Sequence, residues 1–265
     1  MVNADYTAIV LAGKRPGVDP VASAHGETYK ARVKVNGVPM LTRVLDAVSQ
    51  SERINHIVII AGDALGDVNE IAGLQKAVRN VPISEVRAQT TISNSVLSAL
   101  DARPEGERFF ITTSDHPLLT VEMINDFLDN ASGDGVSIAF VERDVIERAH
   151  PKMRRTYLSF KNSKISGANL FTVNGNEARP VIKFFQEIEA NRKSPLKMAA
   201  IFGPVNLIGF ALKAFTLEQA FRRLSNVLKC NVKPVRLSHA NAAVDVDRTA
   251  DLSIVEQILA SRETV

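Results

Sequence analysis

A chain of 265 residues, 45% of them hydrophobic and 23% charged, can bury about 70–75% of its unfolded surface and needs no disulfide or structural metal to fold. Its 32 Lys and Arg against 29 Asp and Glu leave a net charge of +3, too even a balance to announce a nucleic-acid partner, and none is expected. A single cysteine, Cys230, excludes a disulfide framework, a Cys-rich zinc site and an iron–sulfur cluster held by this chain alone, which makes a reducing cytoplasm the simplest compartment.

The first apolar run, Ala8 to Leu11, follows Asp5. It is too short for a signal-peptide core and lacks a basic lead, so export is not expected. Residues 7–12, 54–61, 108–113 and 136–141 read as buried strands. Between them Met40, Leu41, Val44, Leu45 and Val48 recur at helical spacing, as do Ile92, Val96, Leu97 and Leu100, and then Ile124, Phe127 and Leu128. Strands alternating with helices predict a three-layer α/β/α sandwich around a mostly parallel sheet over residues 1–142, with the ligand at the carboxyl ends of the strands.

Beyond residue 142 the pattern changes. An alternating run at 156–160, a turn-rich stretch at 161–167 and a second run at 169–173 predict a hairpin or sheet extension. Residues 198–212 form the most membrane-like stretch, but they fall short of the ~20 needed to span hydrocarbon and Gly203-Pro204 interrupts them. They read as core helices with a break, and peripheral membrane contact is not expected. Thr216 with Gln219 predicts a capping box for a helix through Leu228. A last helix from near Thr249 should bury Leu252, Val255, Ile258 and Leu259. With no internal repeat, residues 1–265 read as one domain with halves at 1–142 and 143–265.

Three strand ends carry unusual chemistry. The loop Leu11-Ala12-Gly13-Lys14-Arg15, with Pro16, Gly17 and Pro20 after it, puts small residues where a backbone could approach a nucleotide and cations beside its phosphates. An ordinary strand-to-helix turn with solvated cations has the same composition. Asp115 ends the buried run 109–113, where a carboxylate is costly unless solvent, a donor or a metal compensates it. Magnesium takes one or two carboxylates plus phosphate oxygens, so Asp115 with Asp245 or Asp247 would make a site. Alternation puts Asp245 and Asp247 on the same side of a strand opposite Val244 and Val246; either they are a metal pair or one caps the helix near Thr249. Ser93 and Ser95 at a helix start could hold an anion or base edge, or simply cap the helix. His116 could orient a carboxylate, touch an acceptor or serve structure alone.

A longer string joins these pieces. The Leu-Ala-Gly-x-Arg loop at 11–15 is followed by Lys30, six spacer residues, Gly37, Val38, Pro39, Met40 and Leu41, which resembles the signature of the nucleotidyltransferases related to molybdenum-cofactor guanylyltransferase. The resemblance continues through Thr113-Ser114-Asp115-His116-Pro117-Leu118-Leu119-Thr120, similar to that group's Asp-x-Pro-Leu strand end. It continues again through Asp245-Val246-Asp247-Arg248-Thr249-Ala250-Asp251-Leu252 and the serine-containing helix start at 93–100. It implies a glycosyltransferase-A-like Rossmannoid fold, with 1–142 as the nucleotide-binding half and 143–265 as the acceptor side with its C-terminal metal motif.

It also implies magnesium-dependent attack of an acceptor oxygen on a nucleoside triphosphate with release of pyrophosphate. Arg15, Lys30 and Asp115 would be catalytic; Leu11 to Arg15, Lys30, Ser93 and Ser95 would bind nucleotide; Asp115, Asp245 and Asp247 would hold the metal. The reading leans to CTP over GTP. Arg154, Arg155 and Lys161 fit either an anionic small-molecule acceptor or a solvated basic hairpin. Two departures stand out: 16 residues separate Gly13 from Lys30, so the loop carries an insertion at 17–27, and Lys14 stands where the group often has a second glycine. A glycosyltransferase using a nucleotide sugar and a non-catalytic nucleotide-binding module are the alternatives.

Overall fold

The computed structural model describes residues 5–14, 17–67, 70–78, 81–151, 153–191 and 203–263. The chain enters through β1 (Tyr6–Leu11), the short helix α1 (Pro20–Ala24) and a two-residue hairpin, β2 (Lys34–Val35) and β3 (Val38–Pro39). Asn36 and Gly37 turn that hairpin at φ 47° and 78°, the left-handed pair that a tight Asn-Gly turn requires. There follow α2 (Met40–Gln50), β4 (Ile54–Ala61), α3 (Leu74–Ala77), β5 (Ile83–Arg87), α4 (Ile92–Asp101), β6 (Arg108–Thr113), α5 (Val121–Asn130), β7 (Gly135–Glu142) and α6 (Arg143–Ala149). The second half supplies β8 (Leu158–Ser159), β9 (Lys164–Asn174), α7 (Arg179–Asn191), α8 (Pro204–Ala211), α9 (Leu217–Leu228), β10 (Val232–Leu237) and α10 (Thr249–Glu263).

One eight-stranded sheet runs β10-β7-β9-β6-β1-β4-β5, with β8 on β9. β1 is parallel to β4 and β6, β4 to β5, and β10 to β7, while β9 is antiparallel to β6 and β7. Period-2 alternation sorts the strand residues between two cores: Ala8, Val10, Ile57 and Ile59 face α2 and α5, whereas Ile9, Val58 and Ile60 face α4, α7 and α9. A third cluster joins Val21 and Ala22 of α1, Val33, Val35 and Met40 to Val244, Val246, Leu252, Val255 and Leu259. It forms the floor on which the functional loops rest.

The expected strands at 54–61 and 108–113 match β4 and β6 residue for residue, and the capping box Thr216–Gln219 is present at the start of α9. The expected hairpin is present as β8 and β9. Its turn spans 160–163, and β9, already underway in the stretch read as turn-rich, inserts between β6 and β7. The sheet therefore runs unbroken across residue 142. Residues 244–247 belong to no strand; they follow a 3-10 turn over Ala240–Ala243. Of the apolar stretch 198–212, residues 198–202 lie outside the described part. Most of the rest forms α8, in which Ile208 is 59% exposed, and Leu212, just after it, is 73% exposed, so these two apolar side chains lie outside the core. No helix among the described residues is long and apolar enough to cross a membrane.

Candidate active site

β1, β4, β5 and β6 point the same way, so their carboxyl ends open on one edge. Ala12 N donates to Ile60 O (2.8 Å) and Ser114 N donates to Leu11 O (3.0 Å), which sets the Leu11–Lys14 loop beside Asp115. Ala12 is buried, whereas Gly13 and Lys14 are exposed. A Cβ at Gly13 would lie 3.4 Å from Ala88 Cβ, so this loop runs against the loop that follows β5. Arg15 lies outside the described residues.

The sequence insertion is now traceable from Gly17 onward. Asp19 caps α1, accepting from Val21 N and Ala22 N, and Val21 and Ala22 anchor the helix in the floor cluster. Lys30 opens a 3-10 turn that Arg32 ties to the next loop by donating to Leu65 O (2.6 Å). Tyr29, just before it, packs its hydroxyl against Gly62, where any Cβ would clash.

Lys30 is the hub. Its ammonium lies 2.6 Å from Asp115 Oδ2 and 3.5 Å from Asp247 Oδ1, and it donates to Val246 O at 3.0 Å. The Lys30 and Asp115 side chains are only 21% and 17% exposed. Burial disfavours both charges, but each stabilises the other: Asp115 is held below the usual carboxylate range and Lys30 above the usual lysine value. Asp247, at 59% exposed, is pushed up by partial burial and by the charges of Asp245 and Asp115.

The structure brings Lys30, Asp115 and Asp247 together and sets Asp245 apart. Arg155 pairs with Asp245 Oδ1 and Asn169 Nδ2 donates to its Oδ2 (2.8 Å), so each of its oxygens has a protein donor. Arg155, which sequence reasoning considered for the acceptor, is thus turned inward, while Arg154 and Lys161 are exposed. The helix-cap alternative for Asp245 and Asp247 falls to a different residue: Asp251 accepts from Arg248 N (2.9 Å) and Asp247 N (3.3 Å) at the start of α10. In the sequence Asp251 is visible only as part of the 245–252 motif, although an acid three residues into a helix is an N-terminus signal.

Ser93 and Ser95 lie buried in the first turns of α4, yet the cap is Thr91, which accepts from Asn94 N (3.1 Å). Ser95 donates to Thr91 O (2.9 Å) and accepts from Gln89 N (2.8 Å), pinning the loop that faces Gly13. His116 is buried, with Nε2 3.1 Å from Asn241 O. Desolvation holds its pKa below the usual histidine value and so keeps it neutral. It fixes the turn before Val244.

Magnesium fits part of this arrangement. No group of three or more His, Cys, Asp or Glu among the described residues could cage a metal, but Asp115 Oδ1 is buried without a hydrogen-bond partner. Such an orphaned oxygen, with Asp247 nearby, would suit an ion that completes its shell with phosphate and water.

Residues 8–172 match the MobA-like NTP transferase domain. The chain belongs to that family. This NTP transferase resembles a hypothetical transferase from Thermus thermophilus at 26% identity, covering 94% of this chain and 99% of that one with a TM-score of 0.77. It shares its fold with the 4-diphosphocytidyl-2C-methyl-D-erythritol synthase of Anaerococcus prevotii (12% identity, 97% and 100% covered, TM-score 0.56). The same holds for a CMP:2-keto-3-deoxy-manno-octonic acid synthetase complexed with CTP (13% identity, 97% and 99% covered, TM-score 0.57). No curated protein matches the chain. The α/β fold with a mostly parallel sheet is that of the nucleotidyltransferases, and the protein is a nucleotidyltransferase enzyme.

Proposed function

We propose that this enzyme transfers a nucleotidyl group from a nucleoside triphosphate to a small-molecule acceptor, with magnesium as the cofactor and pyrophosphate as the leaving group. The observation that carries the reading is Lys30, shared between Asp115 and Asp247 beside the Gly13 loop while Asp115 Oδ1 stays open. The Leu11–Lys14 loop would receive the triphosphate along its exposed backbone, with Arg15 as a further cation at its end. Lys30 would hold Asp115 ionised and share its ammonium with the phosphates, countering the charge that builds toward pyrophosphate. Asp115 and Asp247 would hold the magnesium, which when bound supplies charge neutralisation at the α-phosphate. Asp245 serves their placement. No protein nucleophile is required, because position and electrostatics carry this chemistry.

CTP stands ahead of GTP as the first donor to test, since two neighbours of the same fold are named for cytidyl chemistry. Exposed Arg154 and Lys161 favour a phosphorylated or otherwise anionic acceptor. A single, buried cysteine, Cys230, agrees with a cytoplasmic setting. The test is a thermal-shift panel of CTP, GTP, ATP and UTP with and without magnesium, followed by pyrophosphate detection. A donor at 100 times its Kd should stabilise the fold by about 2.7 kcal/mol. Stabilisation by a nucleotide sugar with release of nucleoside diphosphate would point instead to glycosyl transfer, and binding without metal-dependent turnover to a non-catalytic module.

A further inference from the structure

The pairing of β7 with β9 contains an irregularity that regular sheet geometry does not require. Phe171 faces Ile138 and Gly167 faces Phe140, so residues 168–170 of β9 oppose the single Ala139. Ala168 and Leu170 are buried, and Asn169 between them takes φ 52°, a left-handed conformation that bulges use to re-aim a side chain. The amide so aimed is the one that donates to Asp245 Oδ2, at 2.8 Å. From the irregular segment 153–157, Arg155 takes Oδ1, and both the arginine and the aspartate side chains are 12% exposed. One residue further on, Val246 is held at both of its backbone polar groups: its N–H donates to Asp115 O (2.9 Å) and its carbonyl accepts from Lys30 Nζ (3.0 Å). Asp247 follows directly, largely exposed, so its placement depends on the peptide that carries it.

We infer that Asn169 and Arg155 are positioning residues: they clamp Asp245, and through the 245–247 segment they set Asp247 and the Val246 carbonyl against Lys30. The clamp reaches from the acceptor-side strand β9 to the Lys30–Asp115 pair, so the bulge at 168–170 exists to serve the site. The inference rests on the nucleotidyltransferase reading, in which Asp247 is a metal ligand and Asp245 is not.

A reciprocal exchange tests it. Asn169→Asp alone sets two carboxylates face to face, and Asp245→Asn alone sets two amides face to face. The double variant restores one carboxylate and one amide across the contact. In the full chain, manganese(II) binding by electron paramagnetic resonance and hydrogen exchange at the Val246 amide are read side by side. Each single variant should weaken manganese binding about tenfold, the scale of outer-shell losses, and speed Val246 exchange about as much, while the double variant recovers both to within about threefold. If the double variant regains slow exchange yet binds manganese as poorly as Asp245→Asn, Asp245 is itself a ligand and the inference is overturned. Unchanged binding and exchange in the singles would also overturn it. Should Asn169→Asp fail to fold, Asn169→Gly keeps the left-handed backbone and removes only the amide; it should stay folded and show the same loss of manganese and the same faster Val246 exchange. Neither readout requires turnover, so a chain that releases no pyrophosphate from any triphosphate would refute the functional reading while leaving the exchange result to judge the clamp.

Discussion

Lys30 and Asp115 form a nearly buried ion pair at 2.6 Å that joins the loop after β1 to the end of β6. The pair changes what a substitution at Asp115 does. In sequence this carboxylate is costly unless something compensates it; in the structure Lys30 does so, and removing Asp115 leaves the Lys30 ammonium buried with less compensation. We expect Lys30→Ala and Asp115→Ala each to cost about 2 kcal/mol and the double variant clearly less than their sum. Urea unfolding of the four proteins measures this; additive losses would show that the pair is not coupled.

The same pair has a pH signature with a definite sign. Asp115 is depressed in the folded state, so its contribution is present above the ordinary carboxylate pKa and is lost as pH falls through the lower folded value. Lys30 is raised, so its contribution is present below the ordinary lysine pKa and is lost as pH climbs through the folded value. Relative to wild type, Lys30→Met should therefore lose stability across the neutral range and differ less below about pH 4. Denaturation midpoints from pH 2 to 8 check it, and a constant difference at every pH would refute the assignment.

Asp247 and Asp251 should separate function from structure. Asp247→Asn should raise the magnesium concentration for half-maximal activity about tenfold while changing stability by less than about 0.5 kcal/mol, because an exposed ligand is lost without a cap. Asp251→Ala should cost about 1 kcal/mol, since it removes the acceptor for Arg248 N at the start of α10. Because the Asp247 carboxyl is raised, proton competition should weaken the metal at a higher pH than an ordinary aspartate would allow. Superimposable magnesium titrations for wild type and Asp247→Asn would leave Asp247 without a metal role.

Gly62→Ala is a mutation outside every motif that should reach the site. The added methyl meets the Tyr29 hydroxyl, and Tyr29 immediately precedes Lys30. Relief requires moving the segment that carries the ammonium, at a cost of about 1–3 kcal/mol for overpacking. We expect triphosphate affinity to fall, with Tyr29→Phe/Gly62→Ala, which removes the hydroxyl, recovering much of it in calorimetry. Equal losses in the single and double variants would remove Tyr29 from the account.

Local chemistry made much of this protein readable in one dimension. Long apolar runs at 54–61 and 108–113 are strands because their residues are buried on both faces, and Thr216 with Gln219 marks a helix start because both groups act within one turn. Edge strands escaped: β5 is short and only half-buried, and β10, as long as β1 and β6, carries Pro234, which an edge strand with one neighbour tolerates. Spacing along the chain was enough to nominate Lys30, Asp115 and the acids at 245 and 247. Their arrangement was decided in three dimensions. Lys30 meets Val246 across 216 positions of sequence, and Asp245 meets Arg155 and Asn169 through a bulge that no local pattern announces. Which donors meet a carboxylate's two oxygens is a property of the packed molecule: each oxygen of Asp245 has a protein donor, while Asp115 Oδ1 is buried without one.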